Sequence, residues 1–140
     1  MKCDLIFYLA RRTSYCEKAL KKQLEELGIG LNGVTASTTP VMLGEKLIAS
    51  LNRCNLVFII GGLGFSGKNG LSDVLSRALS STKVTFSDIR KLKNNLGKQY
   101  GYIIRQGNQM IIALPDKPDE LSEMFSPALT GCIRNAFDLN

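Results

Sequence analysis

The segment at residues 54–79 constrains the fold most, because an apolar run ends there in a cluster of glycines and a helical pattern follows. The run NLVFII at 55–60 carries no charge and has the composition of a strand. It stops at Gly61 and Gly62, and LSDVLSRALSS at 71–81 has the spacing of an amphipathic helix. A strand that passes directly into a helix predicts an α/β fold class in which strands alternate with helices.

Three further apolar segments predict strands. CDLIFYLA at 3–10 is short and rich in β-forming residues, which is typical of a buried strand. IGLNGVTAST at 29–38 predicts a weaker strand that glycines interrupt. In YGYIIRQGNQMIIALP at 100–115, two apolar runs flank Gln106, Gly107 and Asn108, and this pattern predicts a C-terminal hairpin.

Start and stop signals predict two helices in the first half of the chain. Ser14 and Glu17 have the spacing of a capping box, and Gly28 predicts the end of that helix. Thr39 and Pro40 predict the start of a second helix, with threonine as the cap and proline at the first helical position.

Two more helices are predicted near the C-terminus. FSDIRKLKNNLG at 86–97 predicts a short helix with Ser87 as its cap and Gly97 as its stop. Another begins at Pro118, and the acidic residues that follow suit the positive end of its dipole. We expect Pro127 to bend or break this helix, because proline lacks a backbone donor and clashes with the preceding turn.

The length of the chain suits one domain over residues 1–140. Its alternating strands and helices predict a mainly parallel sheet. No apolar segment of the sequence is long enough to cross a bilayer, and the N-terminal segment lacks the features of a signal peptide. The sequence therefore predicts no membrane partner and a cytoplasmic location.

The chain contains no histidine, which excludes histidine zinc sites, Ser-His triads and imidazole acid–base catalysis. Its cysteines lie among apolar neighbours and form no C-x-x-C pair, so we expect reduced core residues and no metal site. These cysteines are Cys3, Cys16, Cys54 and Cys132.

The net charge of +6 suits a small phosphate-bearing ligand. The basic residues are spread along the chain, and aromatic residues make up only 7% of it. Because no alternation of basic and aromatic residues forms a stacking platform, nucleic acid is disfavoured as a partner.

The glycines after residue 60 have two possible uses. Ligands of open parallel sheets lie beyond the carboxyl ends of the strands, where glycine lets the backbone approach an anion. Ser66, Lys68 and Asn69 would add donors to such a site. Alternatively, the glycines only allow tight packing of the turn, and the residues leave both possibilities open. The spacing excludes a Walker loop, and the Rossmann-like GLGFSG at 62–67 follows the wrong strand.

Two blocks of sequence resemble a known family. GGLGFSGKNGLSDVLSRAL at 61–79 is similar to the Gly-Gly-Thr/Leu-Gly motif and helix of the MoaB/Mog-like molybdopterin-binding domain. GYIIRQGNQMIIALPDKPDELSEMF at 101–125 is similar to that family's hairpin, Leu-Pro-Gly-x-Pro turn and following helix. Order and spacing agree over nearly the whole chain, and the N-terminal domains of competence/damage-inducible protein A look most similar.

The resemblance implies an αβα sandwich, a homo-oligomer, and a site for molybdopterin or adenylylated molybdopterin between the glycine loop and the Leu-Pro turn. For the competence/damage-inducible branch it implies metal-dependent hydrolysis of ADP-ribose. The candidate ligand-binding positions that it indicates in this chain are Gly61, Gly62, Gly64, Ser66, Lys68, Asn69, Asp73, Pro115, Asp116, Pro118 and Glu120.

The chain departs from the family pattern where a metal would bind. The acidic pair that follows the family's glycine loop is here Lys68 and Asn69, and the family's threonine is Leu71. Because an ammonium and an amide do not replace two carboxylate ligands, Mg²⁺ is disfavoured as a cofactor. Asp73 remains, as a single acid that could equally cap its own helix.

The second turn departs as well. Asp116 stands where the family has glycine, and its charge would repel a phosphate unless Lys117 offsets it. Aspartate can adopt the left-handed conformation, so the turn itself could persist. Glu120 could contact a ligand or cap its helix, and we favour capping.

The loop after the first strand, LARRTS at 9–14, is shorter than the family's segment and lacks its acid. Arg11 and Arg12 are expected at the same edge of the sheet as Lys68. There the three cations could form a rim that attracts anions.

Three hypotheses follow, and the first is favoured. The chain is a binding module for a pterin phosphate or nucleotide with a diverged site. Alternatively, it is a metal-dependent ADP-ribose pyrophosphatase, which would need Asp73, Asp116 and Glu120 as metal ligands. The third hypothesis is a degenerate, non-catalytic scaffold that acts through oligomerisation or a partner protein. Whether the chain is an enzyme stays open, although the lost acidic pair argues against a metal-dependent hydrolase.

Overall fold

The centre of the fold is a six-stranded sheet. Its strands are β1 (Lys2–Tyr8), β2 (Gly30–Ser37), β3 (Leu56–Ile60), β4 (Asp88–Leu92), β5 (Gly101–Gln106) and β6 (Gln109–Leu114). The computed structural model describes residues 1–65, 70–80 and 88–139. The strand order is β2-β1-β3-β6-β5-β4. The first four strands in this order are parallel, whereas β5 pairs antiparallel with β6 and β4. The predicted parallel sheet and hairpin are confirmed.

Helices cover both faces of the sheet. Those in the described part of the chain are α1 (Thr13–Leu27), α2 (Pro40–Arg53), α3 (Leu71–Ser80), α4 (Pro118–Met124) and α5 (Pro127–Ala136). Residues of α1, α4 and α5 belong to one hydrophobic core, and residues of α2 and α3 belong to the other. The fold is therefore an αβα sandwich, as predicted.

The central strands are apolar on both sides because each side meets a layer of helices. In β3, Phe58 belongs to the core under α1, α4 and α5, while Val57 and Ile59 belong to the core under α2 and α3. The Phe58 ring packs against Phe125 with 6.0 Å between centroids. Truncation of a fully buried phenylalanine to alanine costs about 3–5 kcal/mol of the free energy of unfolding.

Several predicted helix ends are confirmed. Gly28 ends α1 in the left-handed conformation, with φ 72°. The Thr39 side chain caps α2 by accepting a hydrogen bond from the Met42 amide at 3.2 Å. The chain breaks between α4 and α5, where Ser126 caps the new helix and Pro127 is its first residue.

The predicted capping box is wrong. Helix α1 begins at Thr13, one residue before Ser14, and its N-cap is Arg12 with no side-chain cap hydrogen bond. Arg12 has φ 53°, so the chain turns sharply into the helix and places Ser14 within its first turn. Glu17 instead pairs with Lys21 at 3.0 Å, one turn further along the helix.

The predicted helix at 86–97 is also wrong, because residues 88–92 form strand β4. Antiparallel pairing with β5, the next strand of the chain, satisfies one side of this backbone, and the helical pattern of the segment does not reveal that partner. Ser87, the predicted cap, lies outside the described residues. Gly97 ends no helix and lies against Glu120 and Asn94 in the loop before β5.

The cysteine prediction is confirmed for the core. Cys3, Cys16 and Cys54 are buried free thiols, and Cys132 is a half-buried free thiol. Burial raises the pKa of Cys3 to about 12, so this thiol is protonated at neutral pH and a weak nucleophile. Within the ranges that the structure describes, no helix combines the length and apolar character needed to span a membrane.

Candidate functional site

Three loops meet at the edge of the sheet where β1, β3 and β6 end. These strands are adjacent and parallel, so their carboxyl ends lie side by side, which is where open α/β sheets bind ligands. These loops and the loop before β5 border a cavity of about 320 Å³, within the size range of small-molecule sites. Its described lining consists of Leu9, Arg11, Arg12, Gly62, Leu63, Gly64, Phe65, Gln99, Asp116 and Lys117.

Gly61 and Gly62 are required by packing. Both have positive φ, 106° and 75°. A Cβ atom at Gly61 would lie 2.9 Å from the Cβ of Ala10 and would overlap the carbonyl oxygen of Tyr8. At Gly62 it would overlap the Tyr8 ring. The packing alternative therefore accounts for this pair of glycines without any ligand.

Gly64 is different, because packing does not account for it. Among the described residues, a Cβ atom there would meet the end of the Gln99 side chain, at 2.8 Å. The end of a flexible side chain can move, so the described contacts do not require glycine here as they do at Gly61 and Gly62. Gly64 is thus the glycine whose position fits an approach between backbone and ligand.

The glycine turn is tied to its neighbours by backbone hydrogen bonds. The Gly61 amide donates to the Leu114 carbonyl at 3.0 Å, which joins the turn to β6. The Gly62 carbonyl accepts from the amides of Phe65 and Leu71, each at 3.4 Å. Leu71, which replaces the family's threonine, is buried in the core as the first residue of α3.

The rim of the cavity carries three cations and one carboxylate among its described residues. The cations are Arg11, Arg12 and Lys117, and the carboxylate is Asp116. Oδ2 of Asp116 accepts a hydrogen bond from the Arg11 amide at 2.7 Å. The cations outnumber the carboxylate, and because Lys117 also pairs with Glu120, the two arginines contribute most to a positive potential that attracts anions.

Asp116 keeps its turn without the left-handed conformation. In the part of the chain described, the non-glycine residues with positive φ are Leu9, Arg12 and Asp138. Nζ of Lys117, the cation that could have offset Asp116, lies 3.5 Å from Oε2 of Glu120. The charge of Asp116 is thus met by a backbone donor rather than by the neighbouring ammonium.

Glu120 is a buried carboxylate, 6% exposed, and our preference for a helix cap is wrong. Helix α4 has no side-chain cap hydrogen bond. Oε1 of Glu120 accepts from Nδ2 of Asn94 at 2.6 Å, while its other oxygen faces Lys117. Glu120 therefore contacts both Lys117, which lines the cavity, and Asn94, which lies in the loop before β5.

Asp73 lies apart from the rim. It is exposed in the first turn of α3 and lines a second cavity of about 270 Å³ with Tyr102. Leu63 and Phe65 border both cavities, so the glycine turn separates them. The described lining of the first cavity includes Gly62, Gly64 and Asp116 but not Gly61, Asp73, Pro115, Pro118 or Glu120. Ser66, Lys68 and Asn69 lie outside the residues that the structure describes.

No sequence pattern indicated Gln99 or Asn94 as a site residue. Gln99 reaches the cavity from the loop before β5, which was assigned to the end of a helix. No motif surrounds it in the sequence. Gly97 was the one residue of this loop that the sequence pattern singled out, and we interpreted it as the end of a helix.

No group of three or more metal-ligating side chains occurs within residues 1–65, 70–80 and 88–139. Asp73, Asp116 and Glu120, the ligand set that a hydrolase would need, therefore form no such group. Cys16 offers no nucleophile either, because burial and then the charge of Asp116 raise the pKa of its thiol to about 11.

Known structures share this architecture. MoaB from Thermus thermophilus superposes with a TM-score of 0.74 at 15% identity, covering 98% of this chain and 96% of that one. CinA from Thermoplasma acidophilum gives 0.72 at 15% identity, over 96% and 97% of the two chains. Mog from Mycobacterium ulcerans gives 0.72 at 17% identity, over 99% and 98%. These values support the same fold.

Sequence comparison gives the family. A putative competence-damage inducible protein of Acetivibrio thermocellus is 25% identical in an alignment 136 residues long that includes 75% of this chain. The match spans only 33% of that relative's length. The family model described as a probable molybdopterin binding domain matches residues 8–134. The chain therefore belongs to the molybdopterin-binding domain family and is similar to its MoaB, Mog and CinA members.

Proposed function

We propose that this domain binds a phosphate-bearing pterin or nucleotide, with molybdopterin or its adenylylated form as the leading candidates, in the cavity beside the glycine turn. One observation carries the proposal. Arg11, Arg12 and Lys117 surround a cavity of about 320 Å³ into which Gly64 places no side chain. Cationic donors beside bare backbone are what a phosphate ester requires.

The lining suits both halves of such a ligand. The guanidinium groups of Arg11 and Arg12 can each donate two hydrogen bonds to phosphate oxygens. Leu63 and Phe65 supply apolar surface for a ring, and Phe65 is half exposed beside the turn. A pterin phosphate would therefore have its anion at the rim and its ring against the turn.

We propose binding without metal-assisted hydrolysis. At the positions of the family's acidic pair the chain has Lys68 and Asn69, which offer no carboxylate for a divalent cation. A lysine at such a position would instead favour the phosphate directly. A scaffold without any ligand is the alternative that the following experiment tests.

A thermal-shift titration followed by calorimetry tests the proposal. The ligands are molybdopterin, its adenylylated form, AMP, ADP-ribose and inorganic pyrophosphate. A ligand at a hundred times its dissociation constant adds about 2.7 kcal/mol of apparent stability. We expect at least one of these compounds to raise the melting temperature by several degrees.

Matched variants locate the site. Arg11→Gln removes one charge from the rim of the cavity. Arg12→Asn removes another, and asparagine is chosen because it tolerates the backbone φ of 53° at this position. Lys22→Gln removes the same charge from an exposed position of α1 away from the cavity. We expect the two rim variants to weaken binding about three- to tenfold, as lost charge-assisted hydrogen bonds do, and Lys22→Gln to leave it unchanged. No shift with any ligand, in folded protein, would instead favour the scaffold.

The remaining features rest on sequence and resemblance. We propose that residues 1–140 form one domain that assembles as a homo-oligomer and works in the cytoplasm. Light scattering coupled to size-exclusion chromatography would give the mass of the assembly. A monomer at micromolar concentration would contradict the oligomer, and fractionation of cells would test the location.

A further inference from the structure

Gln99 is placed over the glycine turn. Its carboxamide end lies so close to Gly64 that a Cβ atom there would be 2.8 Å from it. Among the described residues that line the cavity, Gln99 has the one side chain that can both donate and accept hydrogen bonds. The cations only donate, the carboxylate of Asp116 only accepts, and the remaining lining side chains are apolar or absent.

The loop that carries Gln99 is fixed by Asn94, a buried amide. Oδ1 of Asn94 accepts hydrogen bonds from the amides of Leu96 and Gly97, each at 3.1 Å. Its Nδ2 donates to the backbone carbonyl of Gln99 at 3.1 Å. Because backbone donors surround Oδ1 and a backbone acceptor faces Nδ2, only one orientation of the Asn94 carboxamide satisfies these hydrogen bonds. They hold the backbone of residues 96–99 in one conformation.

Glu120 anchors this loop to α4. Nδ2 of Asn94 also donates to Oε1 of Glu120 at 2.6 Å, and both side chains are more than nine-tenths buried. Gly97 makes room for the contact, since a Cβ atom there would lie 2.6 Å from Cδ of Glu120. A buried carboxylate held in this way cannot shift without losing its hydrogen bond to Asn94, so the core sets the backbone position from which the Gln99 side chain reaches the cavity.

We propose that Gln99 determines which ring the site accepts, and that Asn94 and Glu120 are positioning residues for it. The inference rests on the proposed binding of a phosphate-bearing ligand. The rim cations recognise the phosphate, which many metabolites share. The Gln99 carboxamide recognises a heteroaromatic ring that presents a donor beside an acceptor, as pterins and purines do, because a carboxamide forms two antiparallel hydrogen bonds with such an edge.

The test compares ligands that differ only in the ring. AMP and GMP carry a purine, and ribose 5-phosphate has the same sugar and phosphate without it. Titration calorimetry of the purified 140-residue chain gives the affinity for each. We expect the wild-type protein to bind at least one nucleotide more tightly than ribose 5-phosphate, and Gln99→Leu to reduce that nucleotide's affinity about five- to tenfold, the effect of one or two hydrogen bonds. The affinity for ribose 5-phosphate should change less than twofold.

Neighbouring asparagines provide a matched pair of variants. Asn94→Ala removes the contact with Glu120 and should cause the same ring-specific loss as Gln99→Leu. Asn95→Ala removes an exposed hydrogen bond to Glu123, 2.9 Å long, from the same loop and helix, and should leave the selectivity unchanged. Because Asn94→Ala could destabilise the fold, each variant is compared at a temperature where its melting curve shows folded protein, and Gln99→Leu decides the question alone if Asn94→Ala does not fold.

The outcomes separate two failures. If neither these ligands nor molybdopterin and its adenylylated form bind the wild-type chain, the proposed function fails and this inference with it. If only a pterin binds, the proposed function stands, and an unchanged affinity of Gln99→Leu for that pterin overturns the inference alone. If they bind with equal affinity, or if Gln99→Leu weakens all of them equally or none of them, the site binds phosphate but Gln99 does not select the ring.

Discussion

The backbone amide of Arg11 donates a hydrogen bond of 2.7 Å to Oδ2 of Asp116, and this bond joins the loops that follow β1 and β6. The two residues are far apart in sequence, and only the parallel arrangement of β1, β3 and β6 brings them together. Asp116 thereby closes one side of the cavity. It also places a negative charge among three cations that would attract a phosphate.

Asp116→Asn separates these two effects. The carboxamide oxygen can still accept from the Arg11 amide, whereas the negative charge is lost. We expect the affinity for inorganic pyrophosphate to rise about two- to fivefold at 50 mM salt and the gain to shrink at 500 mM, because salt screens exposed charges. Asp138→Asn is the control, since it changes the net charge equally and tolerates the φ of 52° at that position. Equal gains in both variants would contradict a local role for Asp116.

Gly61→Ala should destabilise the protein strongly. The new methyl group would overlap the Tyr8 carbonyl oxygen at a backbone φ of 106°. We expect a loss of more than about 3 kcal/mol in the free energy of unfolding, measured by urea denaturation, because backbone strain and overlap add. Gly131→Ala is the matched control: Gly131 lies inside α5 with nothing within 4 Å of an added Cβ. That change should stabilise the protein by about 0.5–1 kcal/mol. Similar urea midpoints for the two variants would show that the Tyr8 contact is not a constraint.

Asp4 should make stability depend on pH at the opposite edge of the sheet. Burial would raise the pKa of this carboxyl, but hydrogen bonds from Ser50, Asn32, Arg53 and Cys54 outweigh it and lower the pKa from 3.8 to about 2. Arg53 lies 2.8 Å from its Oδ2. Because the folded pKa is below the unfolded one, the stabilisation is complete above about pH 4 and is lost as the pH falls through 2. Its size is about 2 kcal/mol.

Asp4→Asn tests this dependence. We expect the variant to be less stable than the wild type at pH 7 and the difference to shrink between pH 4 and pH 2, in urea unfolding at constant salt. Glu26→Gln, an exposed acid on α1, is the control and should leave the difference near zero at every pH. A gap between wild type and Asp4→Asn that is independent of pH would show that the carboxylate charge does not stabilise the fold.

Metal addition should not produce hydrolysis. We expect no release of AMP from ADP-ribose with Mg²⁺, Mn²⁺ or Co²⁺, because Lys68 and Asn69 replace the family's acidic pair. The double variant Lys68→Asp with Asn69→Asp restores two carboxylates, and we expect it to bind Mn²⁺ more tightly than the wild type in calorimetry. Metal-stimulated cleavage by the wild-type chain, abolished by a chelator, would overturn the binding-only proposal.

The sequence predicted the elements whose signals are local. Residues 56–60 are apolar without interruption because both faces of β3 are covered, and that pattern is visible in the chain itself. Gly28, Thr39 and Pro127 act through the backbone of their own turns, so their predictions did not depend on distant partners. The two motif blocks were enough to identify the αβα fold and the family.

The tertiary structure decided what depends on pairing and burial between separate segments, whether these are neighbours in the chain or far apart. Residues 88–92 form a strand because β5 offers a free edge, although their local pattern suits a helix. Glu120 is bound by Asn94 rather than capping its own helix, since the two side chains are buried together. Gln99 reaches Gly64 because the sheet brings the loop before β5 next to the loop after β3. Propensity and capping signals describe the energy of one segment in water, whereas pairing and burial depend on which segments the whole fold brings together.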